Sequence, residues 1–148
     1  MRHYTVYLIE EEFANHFFGR EVKLFQLFQE FMRTSPEQPE FIHLKKQITY
    51  ITRQIPKDYI DDMISSSLNG RYNYAYSQNR HHIESESMQG GAILETGDRS
   101  VTVTSEGSFD MEAIFFEVLR KADSCFLAMD FEEKRHGWLK PIKERKFV

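Results

Sequence analysis

The sequence predicts an α+β fold: a single domain with one mostly antiparallel sheet of about five strands and packed helices, in the order β-α-α-α-β-β-β-α-β-β. Three observations carry this. A short alternating segment opens the chain, apolar residues at helical spacing then fill residues 10–68, and strand-like segments surround one further amphipathic helix toward the end. Runs of helices and runs of strands kept apart in this way describe helices laid on an antiparallel sheet, whereas a regular βαβα alternation would describe a parallel one. At 148 residues and 41% hydrophobic, one core removes roughly 70% of the unfolded chain's surface from water. No internal repeat or linker divides it, so residues 1–148 are expected to form one domain.

Residues 3–9 read as the first strand, with Tyr4, Val6 and Leu8 on one face and Thr5, Tyr7 and Ile9 on the other. Apolar groups on both faces make it a central strand. Residues 10–33 follow at helical spacing with a break at Gly19, and Glu10, Glu11 and Glu12 stand at the start, where the helix dipole favours them. Stepping at 100° places Phe13, Phe17, Leu24, Leu27, Phe28 and Phe31 in one arc and Phe18, Val22, Phe25 and Met32 in a second beside it. The two arcs cover more than half the circumference, well beyond the stripe of about 100° that a sheet-packed helix needs. Part of this apolar surface must therefore face something other than the core.

A helix start is expected at residues 34–38, with Ser35 as N-cap, Pro36 at the first helical position and Gln38 completing a capping box. The helix it opens carries Phe41, Leu44, Ile48, Ile51 and Ile55 as a core seam, with Gln47 and Tyr50 on its flank. Pro56 ends that helix and opens another over residues 57–68, closed by Asn69 and Gly70. Tyr72, Tyr74 and Tyr76 alternate as on a strand that shows its rings on one face. Residues 77–91 are polar without apolar periodicity and read as an exposed, mobile loop. Residues 92–95 and 100–104 flank a turn at residues 96–99, giving a hairpin. Ser108 caps a helix to about Lys121 with the stripe Met111, Ile114, Phe115, Val118, Leu119 and Ala122. Residues 125–131 form a buried strand, 132–137 a turn, and 138–142 a short edge strand containing Pro141.

Composition narrows the function. Net charge −4, from 19 basic and 23 acidic residues, argues against a phosphate-backbone binder. Six basic residues (Lys134, Arg135, Lys140, Lys143, Arg145, Lys146) against three acidic ones in residues 131–148 make a solvated tail. The lone Cys125 excludes an internal disulfide and every CxxC arrangement, and its apolar surroundings make it a packed core cysteine. The N-terminus does not read as a signal peptide and no apolar run reaches membrane-spanning length. A cytoplasmic protein is expected.

Enzyme signatures are absent: the sequence has no GxxxxGK[ST], GxGxxG or HExxH, and Gly90-Gly91 has no helix start behind it to hold a phosphate. His81-His82-Ile83-Glu84 could in principle recruit a metal, but adjacent histidines in a polar loop are usually solvated, and neither metal nor cofactor is expected. What stands out is aromatic. Six of 13 phenylalanines fall in residues 13–31, and Phe13 and Phe17 lie one turn apart beside Gly19. Exposed aromatic clusters rimmed by polar groups mark protein interfaces, and Gln47 supplies such a rim if its helix packs alongside.

At these residues the chain resembles the SirA family, the sporulation inhibitors of replication of Bacillus and relatives. The resemblance runs through YLIEEEFANHFFGRE at residues 7–21, IFFEVLRK at 114–121, CFLAMDF at 125–131, GWL at 137–139 and KERKFV at 143–148, with shorter matches at Lys46-Gln47-Ile48 and Tyr50-Ile51-Thr52. Residues 56–106 are only loosely similar. The resemblance implies a non-enzymatic regulator that binds domain I, the N-terminal domain, of the replication initiator DnaA as a one-to-one complex and stops new initiation without itself touching DNA. It places Phe13, Phe17 and Gln47 at the partner, with Ala14, His16 and Tyr50 flanking them. Where the family has a tyrosine, this chain has Phe17, which keeps the ring and loses the hydroxyl. Two other classes compete: a small-ligand domain with a cleft near Tyr72, Tyr74 and Tyr76, and a single-stranded nucleic-acid binder that stacks bases on those rings and uses the basic tail.

Overall fold

The computed structural model describes residues 1–141. Among these the elements are β1 (Arg2–Leu8), α1 (Glu11–His16), α2 (Glu21–Arg33), α3 (Glu40–Ile51), α4 (Lys57–Leu68), β2 (Ala75–Ser77), β3 (Arg80–Ser85), β4 (Gly90–Thr96), β5 (Ser100–Glu106), α5 (Asp110–Ala122), β6 (Phe126–Asp130) and β7 (Arg135–Trp138). The strands make one open sheet in the order β2-β3-β4-β5-β1-β6-β7, and every neighbouring pair is antiparallel. The fold is α+β in a single domain, with seven strands where the sequence pattern predicts about five.

β1 is central because both of its faces are apolar. Val6, Tyr7 and Leu8 are all buried, and the strand pairs with β5 on one side and β6 on the other. Its even-numbered residues meet α5, where Tyr4 lies edge-on to Phe116 with ring centroids 5.2 Å apart. Its odd-numbered face meets α2, where Tyr7 packs on Phe28 at 4.4 Å. Helices thus cover both sides of the sheet's centre. α3 rests on α2 through the stacked rings of Phe31 and Phe41, 5.1 Å apart, and α4 packs against α5 and β4.

The expected break at Gly19 divides residues 10–33 into two helices: the chain turns there with φ +77°, which is open to glycine at little cost. Elsewhere the structure departs from the sequence pattern. α3 begins at Glu40 instead of Pro36. Pro39 has no N–H to continue a helix started at Pro36 and disfavours helical backbone at Gln38, so the Gln38 amide oxygen accepts the Ser35 N–H at 2.9 Å in a turn ahead of the helix. The tyrosines do not form one row on a strand. Tyr72 and Asn73 both adopt φ +51°, which confines β2 to three exposed residues, while the rings of Tyr74 and Tyr76 both pack on His81, with centroids 5.8 and 4.6 Å away.

Residues 77–91, expected as a loop, contain the whole of β3. Gln78 and Asn79, at φ +53° and +66°, make a two-residue hairpin turn between β2 and β3. β3 alternates His81 and Ile83 inward with exposed or half-buried neighbours. At the far end, β7 starts at Arg135 within the predicted turn. The Asp130 carboxylate accepts the Glu133 N–H at 3.1 Å and Arg135 Nη2 at 2.8 Å, so the chain reverses within four residues and pairing resumes at once. Ile142, the last residue of the predicted edge strand, lies outside the described residues, as do Lys143, Arg145 and Lys146 of the basic tail.

Two polar networks are built into the apolar interior. Glu112, 3% exposed, accepts Arg2 Nε at 2.6 Å, Arg2 Nη2 at 2.8 Å, the Tyr4 hydroxyl at 2.6 Å and the Ser105 hydroxyl at 2.9 Å. Burial opposes its charge, but these donors outweigh burial and hold its pKa below the ordinary glutamate value. The second network centres on His81, which is fully buried instead of solvated. Its Nε2 lies 2.8 Å from Asp61 Oδ1 and its Nδ1 lies 2.7 Å from the Tyr74 hydroxyl. Asp61 also accepts Lys57 Nζ at 2.7 Å and the Thr96 hydroxyl at 2.9 Å, and these bonds overcome burial to depress its pKa. A neutral imidazole satisfies the set: Nε2–H donates to the acceptor-only carboxylate and Nδ1 accepts from Tyr74, whose oxygen is 2.9 Å from Ser65 Oγ.

Replacing the buried Glu112 with Ala removes the shared acceptor of Arg2, Tyr4 and Ser105 and should cost about 3 kcal/mol of unfolding free energy in urea titrations; a loss below about 1 kcal/mol would mean the network is dispensable. Burial pushes the His81 pKa below its ordinary value, with Asp61 opposing and Lys57 and His82 assisting. The unfolded chain then binds the proton more readily, so this contribution is complete above about pH 6.5 and declines as pH falls below it. Stability measured from pH 7 to 5 should fall in the native protein and fall less in His81→Gln. Equal slopes would remove His81 as the cause.

Candidate functional site

The apolar surface that exceeds the core's needs lies where β1 leaves the sheet. Ile9 N–H donates to Cys125 O at 2.9 Å, Glu10 N–H to Ile51 O at 2.8 Å, and Arg53 N–H to Leu8 O at 2.7 Å, with Ile9 and Thr52 in an isolated antiparallel bridge. These bonds fasten the start of α1 to the end of α3. α1 is only six residues long, so its stability comes from that attachment and from packing rather than from its own hydrogen bonds. Ala14, 1% exposed, is the side chain that seats it in the core.

Phe13 and Phe17, one turn apart, are each half-buried: they pack against the core without being absorbed by it. The Phe13 ring meets Tyr50 of α3 edge-on at 5.3 Å, and Tyr50 remains 74% exposed. Gln47, one turn before Tyr50 on α3, is also exposed. His16 is exposed with its ring perpendicular to that of Phe17 at 4.9 Å. The surface therefore runs from Phe17 to Phe13, across to Tyr50 and on to Gln47. Of the residues singled out from the sequence, Ala14 alone does not reach this surface.

Arg20 is not among the residues singled out from the sequence, yet it frames the patch. Its guanidinium lies over the Phe17 ring, 5.9 Å from the centroid, and its Nη2 donates to the His16 carbonyl at 2.7 Å. A basic residue just beyond a helix C-terminus commonly satisfies such carbonyls, and that position relative to residue 16 was the available clue. Phe18 and Val22 are also exposed, at 38% and 49%.

The chemistry available here is burial of rings and hydrogen bonding. No group of three or more metal-ligating side chains occurs among the described residues. Cys125 is 3% exposed, and burial pushes its thiol pKa up. A concavity of about 750 Å³ lies on the half of the sheet that the helices leave open, lined by Ala75, His82, Gly91, Ile93 and Thr104 among others. The three tyrosines do not line it as a row.

Comparison with known proteins identifies the family of the chain. The family model described as "Sporulation inhibitor of replication protein SirA" matches residues 2–143. The chain belongs to the SirA family. A SirA of Bacillus subtilis (strain 168), the "Sporulation inhibitor of replication protein SirA", is 44% identical over 147 residues, which is 99% of this chain and 99% of the relative. The match takes in the loosely similar stretch at residues 56–106 as well as the distinctive blocks, so the SirA assignment covers the β3 hairpin and α4 along with the patch. No helix among the described residues is long and apolar enough to cross a membrane.

The different burial of the patch residues gives a direct check on their placement. Ala14→Leu should overpack the interior and destabilise the fold by about 1–3 kcal/mol, whereas His16→Ala should shift unfolding by less than about 0.5 kcal/mol. Chemical denaturation of both variants measures this, and a neutral Ala14→Leu would contradict the packing of α1.

Proposed function

We propose that this chain is a sporulation-linked inhibitor of DNA replication initiation that binds domain I of the initiator DnaA through the patch built on α1 and α3. Membership of the SirA family supports inhibition of replication during sporulation. The observation that supports the site is the continuity of Phe17, Phe13, Tyr50 and Gln47 across two helices held together by backbone hydrogen bonds. Partly exposed rings that are already supported from below make effective anchors, because they bury further apolar area on binding while losing little rotamer freedom. Gln47 offers a donor and an acceptor at the rim and fixes register. Tyr50 and His16 extend the contact, while Ala14 acts from beneath by seating α1.

The inhibitor works by occupation. Covering an apolar patch on domain I denies it to other DnaA partners or to assembly at the origin, with no catalytic step, no cofactor and no contact to DNA. The chain acts in the cytoplasm as a monomer and forms a one-to-one complex. Without a hydroxyl at Phe17, any hydrogen bond made there by a family tyrosine is replaced by ring contact, a difference of about 0.5–1.5 kcal/mol if nothing compensates.

Calorimetric titration into DnaA domain I of the same organism should give saturable one-to-one binding. Phe13→Ala should weaken it by about 2 kcal/mol or more, roughly 30-fold, and Gln47→Ala should weaken it as well. A folded Phe13→Ala variant with native affinity would take Phe13 out of the interface, and absence of binding by the native chain would overturn the assignment of domain I.

A further inference from the structure

We propose that Glu21 is a positioning residue for this interface: it holds the turn between α1 and α2, and with it the Phe17 ring, by joining that turn to the edge strand β7. The inference rests on the binding role given to the patch. Phe17 is the C-cap of α1, with φ −92° and ψ 12°. The next residues are the exposed turn through Gly19, and a glycine at positive φ has more conformational freedom than any other residue. The orientation of Phe17 therefore depends on what restrains that turn.

Two residues supply the restraint. Arg20 closes it from the α1 side: its N–H donates to Phe17 O at 2.8 Å and its Nη2 to His16 O at 2.7 Å. Glu21 closes it from the other. Its Oε1 accepts the Gly19 N–H at 3.2 Å and the Trp138 indole Nε1–H at 3.3 Å. One carboxylate oxygen thus bridges the flexible glycine and a half-buried ring on β7. Trp138 is itself fixed by pairing with Leu127 of β6, and β7 is tied to α2 by the stacking of Phe25 on His136 at 5.0 Å. The turn is referenced to the rigid sheet through Glu21.

Gly19 is exposed, so water can replace the carboxylate as partner of its N–H and the fold survives loss of Glu21. What is lost is restraint. The expected consequence is weaker binding through a less ordered anchor, with little change in stability. Trp138 is the single tryptophan of the chain, so its emission reports on the Glu21 contact directly.

The experiment compares the native chain, Glu21→Ala and Glu21→Gln, free and with DnaA domain I. In the free protein, Glu21→Ala should speed Gly19 amide exchange about tenfold and shift Trp138 emission, with the urea midpoint unchanged, and Glu21→Gln, which retains an acceptor oxygen, should restore most of both. With domain I, Glu21→Ala should bind about fivefold more weakly and Glu21→Gln close to native. Unchanged Gly19 exchange in Glu21→Ala overturns the proposal, as does native affinity of that variant for domain I or failure of Glu21→Gln to rescue. If the native chain does not bind domain I, the assignment of the partner fails, while the exchange and emission of the free protein still decide whether Glu21 orders the turn.

Discussion

Everything at the candidate interface depends on how β1 ends. A central strand leaving a sheet exposes backbone groups that must find partners, and here they find them on two other parts of the chain. Cys125 accepts from Ile9 on one side, while Ile51 accepts from Glu10 and Leu8 accepts from Arg53 on the other. Three backbone bonds thereby fix where α1 starts and which helix lies beside it. Without them a six-residue helix would have no independent stability, and Phe13 would have no reason to meet Tyr50.

The same strand divides the labour of the sheet. Its even-numbered face carries α5 and the Arg2–Tyr4–Glu112 network, its odd-numbered face carries α2, and the half of the sheet beyond β5 is fastened to α4 by the Asp61–His81–Tyr74 network. Buried ions and imidazoles contribute little net stability when replaced by well-packed apolar groups, but they tolerate few geometries. Their effect here is on register: Glu112 joins the first turn of α5 to the first residues of β1, and Asp61 joins α4 to both β3 and β4.

Legibility in the sequence followed the local signals. β1, α4, the hairpin at residues 96–99 and the stripe of α5 were readable because their spacing is set by their own side chains facing one core. Gly19 was readable as a break because a lone glycine in a long helical pattern has few other uses. β3 was not, because its inner face is His81 and Ile83, and the burial of His81 depends on Asp61, 20 residues earlier, which is itself held by the Thr96 hydroxyl from β4. Glu112 looked like an ordinary acid in the first turn of a helix; only its contact with Arg2, 110 residues away, makes it a core residue. At the site, Phe13, Phe17, Tyr50 and Gln47 stood out as apolar excess and flank, but Ala14 could not be told from its exposed neighbours. Separating them needs the side of α1 that meets α3, which the backbone bonds of β1 decide.

That side also explains why the anchors are half-buried. A ring wholly inside the core has no face to offer a partner, and a ring wholly in solvent gives up its rotamer freedom on binding and returns much of the gain. Phe13 avoids both limits because Ala14, the smallest side chain that still fills its place, lets α1 sit close to the core, while Tyr50 supports the Phe13 ring from α3. Tyr50 can do so while 74% exposed because a single ring-to-ring contact leaves most of its surface open. The interface is thus ordered by the same contacts that complete the fold around α1, and a change that repacks α1 alters stability and recognition together.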